Sequence, residues 1–177
     1  DPIAVRKSVG YMPDNFGVYD GMKVWEFLDF FAVAYQIPRS RRKAVIGDVL
    51  ELLDLTHKRD DFVNGLSRGM KQRLGIAEVL VKNPKAIILD EPTLGIDPDG
   101  AIRILELIKS LNREHGLTVM LSSHQLQQVQ EICSRVGIIV KGKLIVQGQM
   151  DDLGKSILKG RQWNFLLEVS GNTDGLE

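Results

Sequence analysis

The run Ala86-Ile87-Ile88-Leu89 is apolar at every position and closes on Asp90-Glu91-Pro92. A strand that is apolar on both faces has to be covered on both, the habit of a parallel sheet packed between helices. Pro92 has no N–H for a ladder, so the strand stops there. Two adjacent carboxylates are thereby delivered at the carboxyl end of a buried strand, where open α/β sheets bind their ligands. One is suited to holding Mg²⁺ and the other to orienting a water as general base. Taken alone, the six residues from Ile87 to Pro92 describe a solvated acid pair equally well.

The rest of the chain alternates short β-rich runs with longer helical patterns, which predicts an α/β layer architecture with a mostly parallel sheet. Strands are expected at Val9–Met12, Thr118–Ser122 and Val136–Val140, and Phe165–Val169 is strand-like. Trp25, Leu28, Phe31 and Tyr35 recur at helical spacing over 23–35, and Val45, Val49, Leu52 and Leu53 over 42–55. These two helices form a helical insert. Met70, Leu74, Ala77 and Val81 mark a third helix over 67–82, ended by Asn83-Pro84. Asp97-Pro98 caps a fourth that runs to about His115. A short helix is expected over 126–133. Lys141-Gly142-Lys143 reads as a hairpin turn into Leu144–Gln147, ending the sheet in antiparallel strands.

Composition narrows the function. With 177 residues, 44% of them hydrophobic, one domain is the expectation. Lys and Arg number 23 and so do Asp and Glu, which leaves none of the basic excess that drives nucleic-acid binding. The apolar stretch from Trp25 to Tyr35 is broken by Glu26 and Asp29 and falls short of the roughly 20 residues a bilayer requires. A lone cysteine, Cys133, and no leader-like start imply a reducing compartment, the cytoplasm. The opening at Asp1 and the close at Glu177 directly after a strand-like run read as cuts from a longer chain.

Two further features could carry chemistry. Leu66-Ser67-Arg68-Gly69-Met70 opens the third helix, whose free amides and positive dipole end suit an anion. By itself it reads better as an ordinary serine cap. His124 follows the strand ending in Ser122-Ser123, again at a carboxyl end, where imidazole can bond a phosphate or a water. A lone histidine there is more often a cap or core residue. Arg39, Arg41, Arg42 and Lys43 read as a solvated helix start.

In order and spacing these pieces resemble the ATP-binding cassette (ABC) ATPase family. An LSGGQ-like signature is followed by a strand ending in Asp-Glu-Pro, then Gly95-Ile96-Asp97, then a switch histidine. The resemblance extends to about Leu153. It implies an incomplete P-loop NTPase-type layered fold with ATP and Mg²⁺ as ligands. Asp90 would be the Walker B metal residue, Glu91 the base that polarises the attacking water, and His124 the γ-phosphate switch. Asp97 would be the D-loop acid. Ser67, Arg68, Gly69 and Met70 would form the signature, with Ser67 and Gly69 serving ATP held by a second ATPase subunit. Asp14 falls where the family has its Q-loop glutamine, as a nucleotide and metal contact of shorter reach. Arg68 stands where glycine is commoner and Met70 where glutamine is, variants resembling those of bacterial and archaeal exporters.

The phosphate loop Gly-x-x-x-x-Gly-Lys-Ser/Thr is absent. Gly148 with Gly154-Lys155-Ser156 is a near miss: five residues separate the glycines, and Asp151 and Asp152 stand where phosphates belong. The family places that loop upstream of the Q-loop, so the chain is expected to carry half of each composite site and, alone, to be inactive. Residues 1–153 would be the partial ATPase domain, with its helical subdomain at about 20–82, and 154–177 would begin a C-terminal extension. The implied whole is an ATPase subunit at the cytoplasmic face of the membrane, dimeric, bound to a transmembrane permease through residues such as Phe16 and Tyr19, and powering export. The alternatives are a soluble ABC ATPase and a non-hydrolytic regulatory module. About fifty residues between Asp14 and Ser67 leave no room for a long coiled coil, against the first. Glu91 and His124 stand against the second.

Overall fold

The computed structural model describes residues 2–19, 21–125, 130–149 and 164–169. Helix α1 (Pro2–Ser8) leads into strand β1 (Val9–Met12), followed by α2 (Val24–Ala34), α3 (Arg39–Leu52) and two 3-10 turns at Thr56–Lys58 and Val63–Gly65. Then come α4 (Arg68–Leu80), β2 (Ala86–Asp90), α5 (Pro98–Arg113), β3 (Thr118–Ser123), β4 (Arg135–Val140), β5 (Lys143–Gln149) and β6 (Asn164–Val169). Of the short helix expected over 126–133, residues 130–132 are helical and 126–129 lie outside the described residues, as do Gly154, Lys155 and Ser156.

The helix starts are locally encoded. Asp97 Oδ2 accepts the Gly100 N–H at 3.0 Å, and Pro98 occupies the first turn of α5, where a missing N–H costs nothing. Glu26 Oε2 reaches back to the Lys23 N–H at 2.9 Å at the start of α2. Stops are encoded too, by residues in the left-handed region: Gln36 (φ 62°) beyond α2, Asp54 (φ 53°) beyond α3 and Asn83 (φ 54°) beyond α4. Lys141 (φ 49°) and Gly142 (φ 76°) are both left-handed, as a two-residue hairpin turn requires, and they join β4 to β5.

The sheet runs β1-β2-β3-β6-β4-β5. Strands β1, β2 and β3 pair parallel, and β4 points the same way, but β6 sits between β3 and β4 antiparallel to both. The strand-like run at 165–169 is thus an internal strand, and β5 is the antiparallel edge. On β2, Ile87 and Leu89 are fully buried while Ile88 is half-buried, so one face of this apolar strand is covered more completely than the other.

Core selection within the helical insert differs from the sequence expectation. In α2 the buried positions are Val24, Phe27, Leu28 and Ala32, with Trp25 and Phe31 partly covered. In α3 they are Ile46, Val49 and Leu50, with Val45 and Leu52 partly covered. Helix α2 is apolar nearly all round, so periodicity offers two faces and packing selects one. In α4 the expected Leu74 and Ala77 are buried, as is Val81 at its C-cap, and Met70 packs against the core.

The insert is tied to β1 through a polar cluster. The Tyr35 hydroxyl donates to Glu78 Oε1, and burial raises the pKa of both groups. Lys82 Nζ, 5.3 Å above the Tyr35 ring, donates to the carbonyls of Val9 at 2.6 Å and Arg6 at 3.0 Å. In the basic run, Arg42 Nε donates to the Ile37 carbonyl at 3.0 Å and its guanidinium lies 3.6 Å from Asp29.

Cys133 is buried, and desolvation pushes its thiol up to about 12. Because burial penalises the thiolate, ionisation is deferred to high pH, and little of the thiol is reactive at pH 8. Ellman's reagent should therefore leave the native protein unmodified at pH 8 and label it once denaturant opens the core. Fast labelling without denaturant would contradict the burial.

Candidate functional site

Strands β2 and β3 pair with Asp90 directly opposite Ser122, so the carboxyl ends of both strands open onto the same side of the sheet. Glu91 is the first residue past β2 and adopts φ 48°, a conformation that costs a non-glycine residue about 1–3 kcal/mol. Its N–H is held twice, by the Ser122 carbonyl at 3.2 Å and the Ser122 Oγ at 3.1 Å. The turn brings the Glu91 carboxylate to His124, with Oε1 and Nδ1 2.9 Å apart. Glu91 Oε2 is buried without a protein partner.

Asp90 is held on both oxygens. Oδ1 accepts the Ser122 hydroxyl, and the Tyr11 hydroxyl from β1 lies 3.4 Å from Oδ2, a long contact. Desolvation, and then the Asp90 charge, raise the pKa of the Tyr11 phenol, with a smaller contribution from Asp14. Asp14 itself is exposed in the loop after β1, where its Oδ1 accepts the Asn15 N–H at 2.7 Å. Four of the residues singled out in the sequence, Asp14, Asp90, Glu91 and His124, thus belong to one end of the sheet.

Ser67, Arg68, Gly69 and Met70 gather at the start of α4. Ser67 caps α4, its Oγ accepting the Met70 N–H at 3.3 Å. Ser67, Arg68, Gly69 and Asp97 line a cavity of about 130 Å³ together with Gly95 and Arg103. The Arg68 guanidinium lies against the backbone of Gly95, where a Cβ would fall 2.3 Å from Arg68 Cζ, and Gly95 has φ 69°. Arg68 at a position where glycine is commoner is thereby accommodated by a glycine on the facing loop. Met70 faces the core instead of the cavity.

One link between the clusters was not read from the sequence. Gln72, on α4 and 5% exposed, donates from Nε2 to the Pro92 carbonyl at 3.0 Å, joining the signature helix to the turn that carries Glu91. Ser122 and Tyr11 were also missed as site residues. The available signal was a serine at the polar end of an otherwise apolar strand, and a glutamine one turn into an amphipathic helix. Phe16 and Tyr19, paired in the sequence reading, are divided by the structure. Phe16 is half-buried against Gly75 and Met12, while Tyr19 is 50% exposed and meets Phe30 edge-on at 5.4 Å between ring centres.

Asp90 and Asp14 offer oxygen donors, the chemistry Mg²⁺ prefers. Among the described residues no three His, Cys, Asp or Glu side chains gather into a complete metal cage. Mg²⁺ is commonly held by one or two carboxylates, with its other ligands drawn from water and phosphate.

A layered α/β sheet with acids and a histidine at adjoining strand ends places the chain among P-loop-type nucleotide-binding domains. The chain belongs to the ABC transporter family, whose description it matches over residues 2–94. It is 36% identical over 166 residues to the linearmycin resistance ATP-binding protein LnrL of Bacillus subtilis, covering 94% of this chain and 52% of that protein. To the methionine import ATP-binding protein MetN 1 of Bacillus thuringiensis it is 33% identical over 165 residues, 93% of this chain and 49% of the relative. Among solved structures, cbiO1 of Clostridium perfringens, part of the ABC transporter complex cbiONQ, superposes with a TM-score of 0.78 at 31% identity, over 86% of this chain and 61% of that one. The chain spans about half the length of the curated relatives it matches. Among the described residues no helix is long and apolar enough to cross a membrane.

Proposed function

We propose that this chain is the part of an ABC transporter's ATP-binding subunit that carries the hydrolytic acids and the signature helix. The observation that carries the reading is the placement of Asp90, Glu91 and His124 at adjoining strand ends, with Glu91 bonded to His124 through one oxygen and buried without a protein partner on the other. Asp90, with Asp14, would hold Mg²⁺; when bound, the ion neutralises charge on the β- and γ-phosphates. Glu91 accepts the proton of the attacking water, and His124 holds the carboxylate in place through Oε1. Ser67 and Gly69 turn the amides of α4 toward the γ-phosphate held by a second ATPase subunit. Asp97, as the D-loop acid, and Arg68 stand at the same cavity.

The phosphate loop comes from sequence outside these 177 residues, which supply the other half of each composite site. Residues 1–153 form the partial ATPase domain together with β6, which lies inside the same sheet, and the helical subdomain spans about 20–82. The subunit sits at the cytoplasmic face of the membrane against a permease. Export is favoured by the signature variant and by the relative named for linearmycin resistance; the relative named for methionine import makes direction a matter for measurement in oriented vesicles.

The test uses the full-length subunit expressed with its permease. ATP hydrolysis that depends on Mg²⁺ and co-purification of the two subunits are expected, and absence of both would sink the reading. Tyr19→Ala should weaken co-purification, since Tyr19 and Phe30 form an exposed aromatic pair on the helical insert. Undiminished recovery would place the coupling surface elsewhere.

A further inference from the structure

We propose that Ser122 is a positioning residue for hydrolysis, one hydroxyl that holds the metal-side acid and the base-side acid in register. The inference rests on the hydrolytic reading given above. A serine hydroxyl has one proton to give and two lone pairs to receive. Asp90, as a carboxylate, can only accept, so the Ser122 proton goes to Asp90 Oδ1, and the Glu91 N–H is donated to the Ser122 Oγ at 3.1 Å. Both bonds follow from the β2–β3 register, which places Asp90 opposite Ser122 and lets the Ser122 carbonyl meet the same Glu91 N–H at 3.2 Å.

The two bonds act on different things. The bond to Asp90 selects the rotation of the carboxylate and so the direction in which its free lone pairs face a cation. Tyr11, at 3.4 Å from the other oxygen, holds that side loosely, so Ser122 carries most of the orientation. The bond from Glu91 stabilises the left-handed turn at φ 48°, which aims the Glu91 carboxylate at His124. Removing the hydroxyl leaves the carbonyl bond and the parallel ladder intact, so the fold survives while both acids lose a fixed direction.

Outer contacts that orient a metal-binding carboxylate affect metal affinity or turnover by about 10- to 100-fold. In the full-length protein, Ser122→Ala should lower kcat by about that factor and weaken Mn²⁺ binding, read by electron paramagnetic resonance in the presence of a non-hydrolysable ATP analogue, by about tenfold. The melting temperature should stay near that of wild type. Ser122→Thr keeps the hydroxyl on a residue at home in a strand and should restore both quantities. Wild-type kcat and Mn²⁺ affinity in Ser122→Ala would overturn the proposal, as would a Ser122→Thr protein as impaired as Ser122→Ala. The manganese titration is independent of turnover. A wild-type protein that binds Mn²⁺ with the nucleotide but never hydrolyses it overturns the hydrolytic reading, while the shift in Ser122→Ala still decides the role of Ser122.

Discussion

In the full-length protein, Glu91→Gln should retain ATP and lower its hydrolysis by about 10²- to 10⁴-fold, the range over which a positioned general base contributes. The substitution keeps the shape of the side chain. A glutamine oxygen can still accept from the protonated ring nitrogen of His124, now 2.9 Å from Glu91 Oε1, and the two bonds from the Glu91 N–H to the Ser122 carbonyl and Oγ use its backbone, which the change leaves alone. What disappears is a carboxylate able to take a proton from water. Filter binding of labelled ATP and single-turnover phosphate release separate the two steps. Wild-type turnover in this variant would remove Glu91 from the role of base and return Asp90-Glu91 to a structural acid pair.

The second large effect belongs to Ser67. Ser67→Arg should fill the space before the α4 amides with a bulky cation and block the closed, ATP-bound dimer, while each subunit still binds nucleotide through its own phosphate loop. The change also removes the cap bond to the Met70 N–H, but that contact is long at 3.3 Å and such a loss costs about 1 kcal/mol, too little to unfold the domain. Mixed dimers decide whether Ser67 acts across the interface. With Ser67→Arg in one subunit and a phosphate-loop lesion in the other, one intact site should remain and about half the activity with it. With both lesions in one subunit beside a wild-type partner, neither site should be intact. Half-activity in the second arrangement would mean that the signature serves its own subunit's ATP.

Much of the site was legible because its signals are local. A cap such as Ser67 or Asp97 acts on an N–H three residues away, and a strand such as 86–90 declares itself by composition and by the proline that ends it. The acids were readable at a strand end for the same reason. The link from Gln72 to Pro92 was not, because it joins residues on separate elements and a glutamine near a helix start has no distinguishing local pattern. Nor was the place of Phe16 readable: only the approach of α4, with a glycine at position 75, provides room for its ring.

By itself the sequence determined that α2 to α5 and β1 to β5 exist and that two acids and a histidine emerge at strand ends, since these depend on interactions within a few residues of chain; α1 was not read, and α3 begins three residues before the expected 42. The tertiary structure alone decided which face of α2 is buried, that β6 lies between β3 and β4, that Arg68 rests on Gly95, and that Ser122 stands opposite Asp90. The physical reason is that a one-residue shift in strand register reverses every side chain, and that register is set by packing between segments far apart in the chain.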